Sequence, residues 1–398
     1  MSTANGKVKR VGHIITRLSV GGAQENTLLT CEGLRDMPQY EVELVLGSDD
    51  QTEGELVSRA RAGGLPVVVV PELMRSVSPL NDARALNKLA DLFRERRYDI
   101  VHTHMTKAGV LGRIAARRAG TPLVVHTLHS LVYHDYQPRP VRFSIIRLKR
   151  WLARRTDHLI SVSEILRQRA LADGIGRAEA FDTVYSGMEL DWFLNATADR
   201  DAVRASLGIP KDALVVGKIA RFFELKGHRE LLPAIPAVVA AVPDVRFLFV
   251  GDGVLLEWFK AEAAKLGVLD HLVFAGMLDR EAIPDTILAM DVLVHTSLRE
   301  GIARVLPQAL AMGVPCVSFA IDGAPEVVID GETGHLVAAN DTAGLSAALI
   351  DLLRDPAERE RMGRNGRASV DPRFRVETMV SDIAGIYERA WEHKFGGT

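Results

Sequence analysis

The chain has 398 residues, of which 49 are Lys or Arg and 51 are Asp or Glu, so its formal net charge is −2. Hydrophobic residues make up 47% of the sequence and charged residues 25%, which is the composition of an ordinary globular protein and excludes disorder throughout. The near-zero net charge argues against a general nucleic-acid binder. The length suggests two or three domains.

The charge is unevenly distributed along the chain. Residues 1–200 contain 28 basic and 23 acidic residues, a balance of +5, whereas residues 201–398 contain 21 and 28, a balance of −7. The basic excess concentrates in residues 101–150, which hold nine cations and one acid. A local basic face is therefore compatible with a neutral chain.

The cysteine count and the hydropathy of the chain indicate the cellular compartment in which the protein works. The 2 cysteines, Cys31 and Cys316, exclude a disulfide framework and a four-thiolate zinc site, and they fit a reducing compartment. The first residues lack the apolar core of a signal peptide, and no uncharged apolar run reaches the roughly 18 residues that span a bilayer. We therefore expect a cytoplasmic protein, with peripheral contact at the inner face of the membrane left open.

Short β-rich runs alternate with helical stretches in the first half of the chain. Strands are predicted at 11–16, 42–46, 66–70, 100–103, 123–126, 158–162 and 183–185, and helices between them at 24–34, 82–96, 109–118 and 164–172. Continuous apolar strands that alternate with helices are typical of a parallel sheet covered on both faces.

The same alternation restarts in the second half. Strands are predicted at 214–220, 246–250, 272–275, 292–295 and 314–319, with helices at 231–242, 255–266, 304–312 and 342–354. We predict an α/β protein of two Rossmann-like, doubly wound domains, 1–195 and 196–375, facing a central cleft. Residues 376–398 are predicted to form a C-terminal helix that packs back on the first domain. Ligands of such sheets bind beyond the carboxyl ends of the strands.

A glycine pair follows the first predicted strand. Gly21 and Gly22 stand where that strand turns into a helix, and glycines there let backbone N–H groups approach a phosphate. A tight turn that simply needs glycine explains the same residues equally well. No G-x-G-x-x-G or P-loop pattern is present, so neither a nicotinamide site nor an ATP P-loop is supported.

Two groups of polar residues follow strands of the second domain. Arg221 and Lys226 stand five residues apart after the strand at 214–220, where both can reach one diphosphate. Glu300 follows the strand at 292–295, just before a helix predicted to begin near Ala303, and is placed to accept hydrogen bonds from sugar hydroxyls. Gln308, a turn into that helix, can donate to and accept from a ribose diol. The alternatives are solvated loop cations and a carboxylate that stabilises a helix dipole.

The order of these motifs resembles a known family. The set formed by Gly21–Gln24, His129, Arg221 to Gly227, Gly251–Gly253 and Glu300 to Gln308 is similar to the retaining nucleotide-sugar glycosyltransferases of the GT-B fold. This is glycosyltransferase family four, also called glycosyl transferases group one, which includes phosphatidylinositol mannosyltransferases and sucrose synthase. The resemblance extends from about residue 8 to residue 390 of the 398-residue chain.

The resemblance implies a retaining transfer of a sugar from a nucleotide-diphosphate sugar, UDP-linked first and GDP-linked next, to a glycan or lipid-linked acceptor, with no metal ion or other cofactor. It assigns catalytic roles to His129, Glu300, Arg221 and Lys226. The donor-binding residues that we expect are Gly21, Gly22, Arg221, Lys226, Gly276, Met277, Glu300, Gly301, Ile302 and Gln308. One departure is Gln308, where the family has a second Glu that binds the ribose; the amide keeps the hydrogen bonds and loses the charge.

Histidines leave a second hypothesis open. His102, His104, His126 and His129 follow or end two predicted neighbouring strands, with His134 and Asp135 nearby, and such a cluster would suit a metal-dependent hydrolase. The simpler interpretation of His102 and His126 is a hydrogen-bonded core histidine. A third hypothesis, which Gln308 permits, is a non-catalytic nucleotide-sugar binding protein. The D-x-D at Asp199–Asp201 lies in the predicted hinge and is best explained by chance.

The basic segment 138–155 has two interpretations. It carries seven cations and no acid, interleaved with apolar residues that include Phe143 and Trp151. A helix of this composition can lie on an anionic membrane surface. It can equally pack its apolar face on the sheet and leave its cations in water. Acceptor choice is expected to depend on the loops at 48–55, 74–81 and 130–142.

Overall fold

A computed structural model describes residues 8–19, 21–48, 54–133 and 137–396. The chain forms two compact units, the first comprising Met1–Met188 and Arg375–Thr398 and the second Glu189–Phe374. Each unit is an α/β layer structure built on one parallel sheet. The predicted fold class, two Rossmann-like domains, is confirmed.

The first unit holds a seven-stranded sheet in the order β3-β2-β1-β4-β5-β6-β7. Its strands are β1 Lys9–Ile15, β2 Tyr40–Gly47, β3 Val67–Val70, β4 Ile100–His104, β5 Leu123–Leu128, β6 His158–Ser161 and β7 Phe181–Thr183. Its helices are α1 Gly22–Arg35, α2 Glu55–Ala62, α3 Pro79–Arg96, α4 Thr106–Ala119, α5 Arg139–Ala153, α6 Glu164–Ala172 and, from the end of the chain, α16 Val376–Phe395. All neighbouring strands pair in parallel.

Two hydrophobic layers cover this sheet, which explains its continuous apolar strands. Successive residues of a strand point to opposite faces. Val11 and Ile15 of β1 belong to a core with α1, α2 and α16, whereas Ile14 belongs to a core with α3 and α4. Helix α16 packs on α1 so closely that a Cβ on Gly33 would lie 2.5 Å from a methyl group of Val380. The C-terminal helix is thus part of the first unit.

The second unit holds a six-stranded sheet in the order β10-β9-β8-β11-β12-β13. Its strands are β8 Leu214–Ile219, β9 Val245–Val250, β10 Leu272–Gly276, β11 Val292–His295, β12 Cys316–Phe319 and β13 Gly334–Val337. Its helices are α7 Asp191–Leu194, α8 Arg200–Ser206, α9 His228–Leu231, α10 Ile235–Ala241, α11 Leu256–Lys265, α12 Ala282–Leu288, α13 Val305–Ala311, α14 Thr342–Arg354 and α15 Pro356–Val370.

Three of the differences between the structure and the predicted elements have a clear physical reason. The structure adds β13, an edge strand of 4 residues of which only Gly334 and Val337 are buried, so its apolar signal is weak. Strand β7 begins at Phe181, two residues before the predicted start, because Phe181 pairs with Leu159 of β6. Helix α13 begins at Val305 and not near Ala303, since the residues before it form a buried loop. None of the described helices is long and apolar enough to cross a membrane.

In both sheets the strand order reverses at one point. In the first unit this switch lies between β1 and β4, and in the second between β8 and β11. The helices that follow the two strands leave on opposite faces there, which opens a crevice at the carboxyl ends. The loops after these four strands are therefore where a ligand of each unit is expected to bind.

Candidate active site

An ion pair lies at the switch point of the second unit. The Nζ of Lys226, from the loop after β8, donates to Oε1 of Glu300, from the loop after β11, at 2.6 Å. The side chains are 30% and 19% exposed, so the pair is reachable from solvent but largely shielded. Two residues that the sequence assigns separately to the diphosphate and the sugar are therefore in direct contact.

Backbone hydrogen bonds tie three neighbouring loops together around this pair. The N–H of Leu298 donates to the carbonyl of Leu225 at 2.9 Å, joining the β11 loop to the β8 loop. The N–H of Glu300 donates to a carboxylate oxygen of Asp322, which follows β12, at 2.7 Å. Glu300 is consequently held from both sides before any ligand arrives. Such preorganisation lowers the reorganisation that binding requires.

Gly227 brings the β8 loop onto the β11 loop. Its φ is 76°, in the left-handed region, and a Cβ there would lie 1.8 Å from the carbonyl oxygen of Thr296. The hydroxyl of Thr296 in turn donates to the carbonyl of Gly227 at 2.6 Å. Only glycine fits this position, which explains the Lys-Gly pair that the sequence shows.

Arg221 stands at the other end of the β8 loop. It is exposed, and its guanidinium lies 5.1 Å from the ring centre of Phe223. The β8 loop contacts the loop after β9, because Phe222 N–H donates to the carbonyl of Asp252. The loop after β9 in turn contacts the end of β10, because Gly251 N–H donates to the carbonyl of Gly276. Gly276 and Met277 are also predicted to bind the donor. Gly276 ends β10, two strands away from β8, and Met277, the next residue, is 60% exposed.

The remaining predicted donor residues lie before and inside α13. Gly301 and Ile302 are buried in the loop that precedes it, where the carbonyl of Gly301 accepts from Gly323 N–H at 3.0 Å. Gln308 lies in the first turn of the 7-residue helix and is half-buried. Its side chain is therefore not enclosed in the hydrophobic core, and its amide remains a candidate ribose contact.

A layer of buried basic residues under the ion pair was not anticipated from the sequence. Lys218 of β8 is 1% exposed and donates to the hydroxyl of Thr296 at 2.9 Å. Burial, with the nearby Lys226 charge, lowers the pKa of Lys218 to about 7. The available signal was a lysine inside the otherwise apolar strand β8.

Two histidines complete this layer. His295, the last residue of β11, has its Nε2 3.8 Å from Glu300 Oε1, and burial lowers its pKa to about 3. His228 stacks on Phe222 with ring centres 4.0 Å apart, and its ring nitrogens have no hydrogen-bond partner among the described residues. Burial would raise the pKa of Glu300, but the charge of Lys226 and its hydrogen bond outweigh that effect, so the pKa of Glu300 lies below its ordinary value. Glu300 is a carboxylate at neutral pH.

In the first unit the predicted glycine pair lies at the carboxyl end of β1. Helix α1 begins at Gly22, and its N-cap residue, Gly21, has no side chain to cap it. The carbonyl of Gly21 accepts from Glu25 N–H at 2.9 Å, so the helix is regular from its start. Its first N–H groups remain available to an anion.

His129 lies just after β5 in the same unit and is half-buried. Its Nε2 is 3.1 Å from Nδ1 of His104, the last residue of β4. Burial lowers the pKa of His129 to about 4, so the ring is neutral at neutral pH. His134 and Asp135 lie outside the described residues, as do 49–53 of the predicted acceptor loops.

The histidine set of the hydrolase hypothesis is rearranged by the fold. The ring of His126 turns to Thr103, whose carbonyl and hydroxyl oxygens lie 3.0 and 2.9 Å from its Nδ1. The three histidines whose ring nitrogens lie within 4.8 Å of one another are His13, His102 and His104, all buried. Asp199 of the D-x-D accepts from Asp201 N–H at 2.9 Å and caps α8, so a structural role accounts for it.

A cavity of about 880 Å³ in the first unit lies away from all of these residues. It surrounds Asp157 and His158 at the amino end of β6, with Lys394 of α16 on its wall. Because ligands of doubly wound sheets bind at carboxyl ends, its size alone does not make it the active site.

Comparison with known proteins identifies the fold and the family. The solved structure of Anabaena HepE in complex with UDP and glucose superimposes with a TM-score of 0.81, at 23% identity over 95% of this chain and 99% of that one. This likeness establishes the GT-B fold. Family models match "Glycosyl transferases group 1" at residues 199–369 and "Glycosyl transferase 4-like domain" at residues 21–185.

Sequence relatives span the same region. A UDP-Gal:alpha-D-GlcNAc-diphosphoundecaprenol alpha-1,3-galactosyltransferase of Escherichia coli is 27% identical over 97% of this chain and 98% of its own length. A D-inositol 3-phosphate glycosyltransferase of Streptomyces scabiei is 30% identical over 75% of this chain and 69% of its own. The chain belongs to the group 1 glycosyltransferases, family four of the GT-B fold.

Proposed function

We propose that this protein transfers a sugar from a nucleotide-diphosphate sugar to a glycan or lipid-linked acceptor, with retention of the anomeric configuration and without a metal ion. The observation that carries the proposal is the Lys226–Glu300 pair at the switch point of the second unit, with Arg221 on the same loop. Two cations and one ionised carboxylate suit a ligand that combines a diphosphate with sugar hydroxyls.

The roles follow from the charges. Arg221 and Lys226 bind the diphosphate and stabilise the negative charge that grows on it as the sugar leaves. These fixed cations do the work that a bound metal ion would otherwise supply. Glu300, an acceptor held in place by Asp322, accepts from the sugar hydroxyls. Gln308 contacts the ribose, and Gly276 with Met277 lines the nucleotide side.

The first unit supplies the remaining groups. We propose that the N–H groups at the start of α1, after Gly21 and Gly22, bind a phosphate and that half-buried His129 contacts a sugar. We favour a UDP-linked donor first and a GDP-linked donor next. The relative from Escherichia coli is named for UDP-Gal, and HepE was solved with UDP and glucose, which supports this order.

A donor screen tests the proposal. A ligand that binds the native state raises its unfolding temperature. At a free ligand concentration of a hundred times Kd, the free energy of unfolding increases by about 2.7 kcal/mol. We expect one nucleotide sugar among the UDP, GDP and ADP series to stabilise the protein, and the same compound to support transfer in the presence of EDTA. NMR of the product should show the donor's anomeric configuration. Failure of every nucleotide sugar to stabilise the protein would refute the proposal.

We further propose that α5 rests on an anionic membrane that carries the acceptor and that the protein works at the inner face of that membrane. Ile146 and Leu152 of α5 pack into the unit. Four apolar side chains of the segment are instead between 39% and 58% exposed, namely Val141, Phe143, Leu148 and Trp151. Arg147, Arg150 and Arg154 are exposed beside them. Exposed apolar residues among cations are typical of an interfacial helix.

Liposome sedimentation tests whether α5 binds an anionic membrane. Phe143→Glu with Leu148→Glu should abolish binding to vesicles that contain phosphatidylglycerol, because both changes place a negative charge against an anionic surface. Val254→Glu, at a residue 77% exposed in the second unit, is the matched control and should bind as the parent does. Equal binding of the parent to neutral and anionic vesicles would contradict the proposal.

A further inference from the structure

A continuous line of hydrogen bonds runs through the first unit and ends at His129. It begins with Thr127 Oγ1, which lies 2.7 Å from His102 Nε2, and continues from His102 Nδ1 to Tyr387 Oη at 2.6 Å. Tyr387 Oη lies 3.3 Å from His13 Nε2, and His13 Nδ1 lies 3.0 Å from His104 Nε2. The last contact joins His104 Nδ1 to His129 Nε2 at 3.1 Å. We call these six side chains the relay.

The sheet register brings the relay together. His13 of β1 lies opposite His102 of β4, and His104 of β4 lies opposite Thr127 of β5. His102 and His104 are two residues apart, so they share one face of the sheet. Tyr387 comes from α16, which covers that face. All members are buried except His129, which is half-buried and is therefore the member that a ligand can reach.

Every histidine of the relay is neutral. Burial lowers the pKa of His13 to about 3, and it lowers those of His102 and His104 well below the ordinary histidine value. Burial raises the pKa of Tyr387, so its hydroxyl keeps its proton. A neutral imidazole has one N–H and one bare nitrogen, and a hydroxyl has one proton. Each histidine therefore donates on one side and accepts on the other. The buried Tyr387 hydroxyl must also place its proton in one of its two contacts, so the five hydrogen bonds all point the same way along the relay.

Thr127 decides the direction in which these hydrogen bonds run. Among the described residues its buried hydroxyl has His102 Nε2 as its only hydrogen-bond partner. If the relay ran towards Thr127, that hydroxyl proton would be buried without an acceptor, which is costly. If Thr127 donates instead, each member donates to the next, and the last proton lies on half-buried His129, where water or a ligand can accept it. His104 Nδ1–H then donates to His129 Nε2, which leaves the proton of His129 on Nδ1.

We propose that the relay locks His129 as its Nδ1–H tautomer, so that it offers the substrate a hydrogen-bond donor and not a base. This inference rests on the proposed function only in placing His129 beside the sugar. Tyr387, His13 and His104 are positioning residues, since they act through His129. The arrangement parallels other sites in which a third group orients a catalytic imidazole.

A metal ion is the competing explanation for the buried histidines. The ring nitrogens of His13, His102 and His104 lie close enough together to suit one. However, all six of their ring nitrogens already take part in the hydrogen bonds of the relay. A metal would have to break several of these bonds, and the geometry therefore favours the relay.

Removal of one hydroxyl group from the relay tests whether the relay fixes the His129 tautomer. Long-range ¹⁵N–¹H NMR should show His129 of the parent protein in one tautomer, with the proton on Nδ1. Tyr387→Phe cuts the relay in the middle, and Thr127→Val removes the hydroxyl that orients it. Each should produce a mixture of both His129 tautomers and lower kcat about tenfold or more, with the donor KM within about twofold.

Tyr40→Phe is the matched control for a lost tyrosine hydroxyl. The Tyr40 and Tyr387 rings touch, with centres 5.9 Å apart, but the Tyr40 hydroxyl donates to Glu388 at 2.7 Å and lies off the relay. This variant should destabilise the unit as Tyr387→Phe does while leaving the His129 tautomer and kcat unchanged. Thr127→Val, nearly equal in volume, serves if Tyr387→Phe fails to fold.

Two results would overturn the inference. One is a His129 that stays Nδ1–H, with normal kcat, in both relay variants. The other is stoichiometric metal in the purified protein whose removal by a chelator rearranges the His13 and His102 resonances. A His129→Ala variant with normal transfer, alongside mixed tautomers in the relay variants, would instead refute the proposed site and leave the lock intact.

Discussion

Replacing Lys226 with methionine should lower kcat/KM for sugar transfer roughly 10²–10³-fold, the effect typical of losing one preorganised group that stabilises developing charge. Methionine keeps most of the volume and removes the cation that we propose binds the leaving diphosphate. The variant also leaves Glu300 without its 2.6 Å partner. Since Glu300 is 19% exposed, solvent compensates in part, and the unfolding temperature should fall by only a few degrees. Steady-state kinetics and thermal unfolding measure the two effects separately.

Lys260→Met is the control for losing a lysine of the same unit. Lys260 pairs with Glu257 at 2.9 Å on an exposed part of α11, where an ion pair contributes about 0–1 kcal/mol. Its kcat/KM should stay within about twofold of the parent. Glu300→Gln, which keeps the size of the side chain and removes its charge, should lose activity as Lys226→Met does. Normal turnover in Lys226→Met and Glu300→Gln would contradict the assigned site.

Gly227→Ala should lower the unfolding temperature by about 6–12 °C, which corresponds to about 3 kcal/mol in a unit of this size, and should abolish transfer. The left-handed φ of 76° costs an alanine about 1 kcal/mol. The added Cβ would lie 1.8 Å from the Thr296 carbonyl oxygen, so the β8 and β11 loops must also separate. That separation displaces Lys226 from Glu300.

Gly267→Ala isolates the backbone cost from the steric one. Gly267 has a φ of 70°, and a Cβ there would meet nothing described within 4 Å. Only the conformational cost of about 1 kcal/mol should appear, as a fall of about 2–4 °C, with full activity. Equal destabilisation by the two alanines would show that the contact between Gly227 and Thr296 does not hold the site together.

The predictable part of the fold lies in its buried strands. Strand β5 is buried at all 6 positions, and it opens with the apolar run Leu123–Val125, as a strand of a parallel sheet covered on both faces requires. The edge strand β13 escaped prediction because a half-buried edge has no comparable constraint. The start of α13 was predicted too early, since the loop after Glu300 is held by a contact with Gly323, which is distant in sequence.

The positions of the candidate site residues were predictable where a residue type and a strand end coincide. Arg221, Lys226 and Glu300 each follow a strand, and the carboxyl ends of parallel strands meet at one edge. Lys218, His228 and His295 were not recognised, because each reads as part of a strand or helix. Their role depends on the carboxylate and cation that fold over them, which no local pattern reveals.

The amino-acid sequence alone determined the two Rossmann-like domains, the order of the donor motifs and the family resemblance, because these depend on local periodicity and on residues next to strand ends. The tertiary structure decided the pairing of Lys226 with Glu300 and the relay from Thr127 to His129. Both depend on strand register and on side chains as far apart as His102 and Tyr387, 285 positions along the chain. Hydrogen bonds act over about 3 Å, so only the folded chain can specify them.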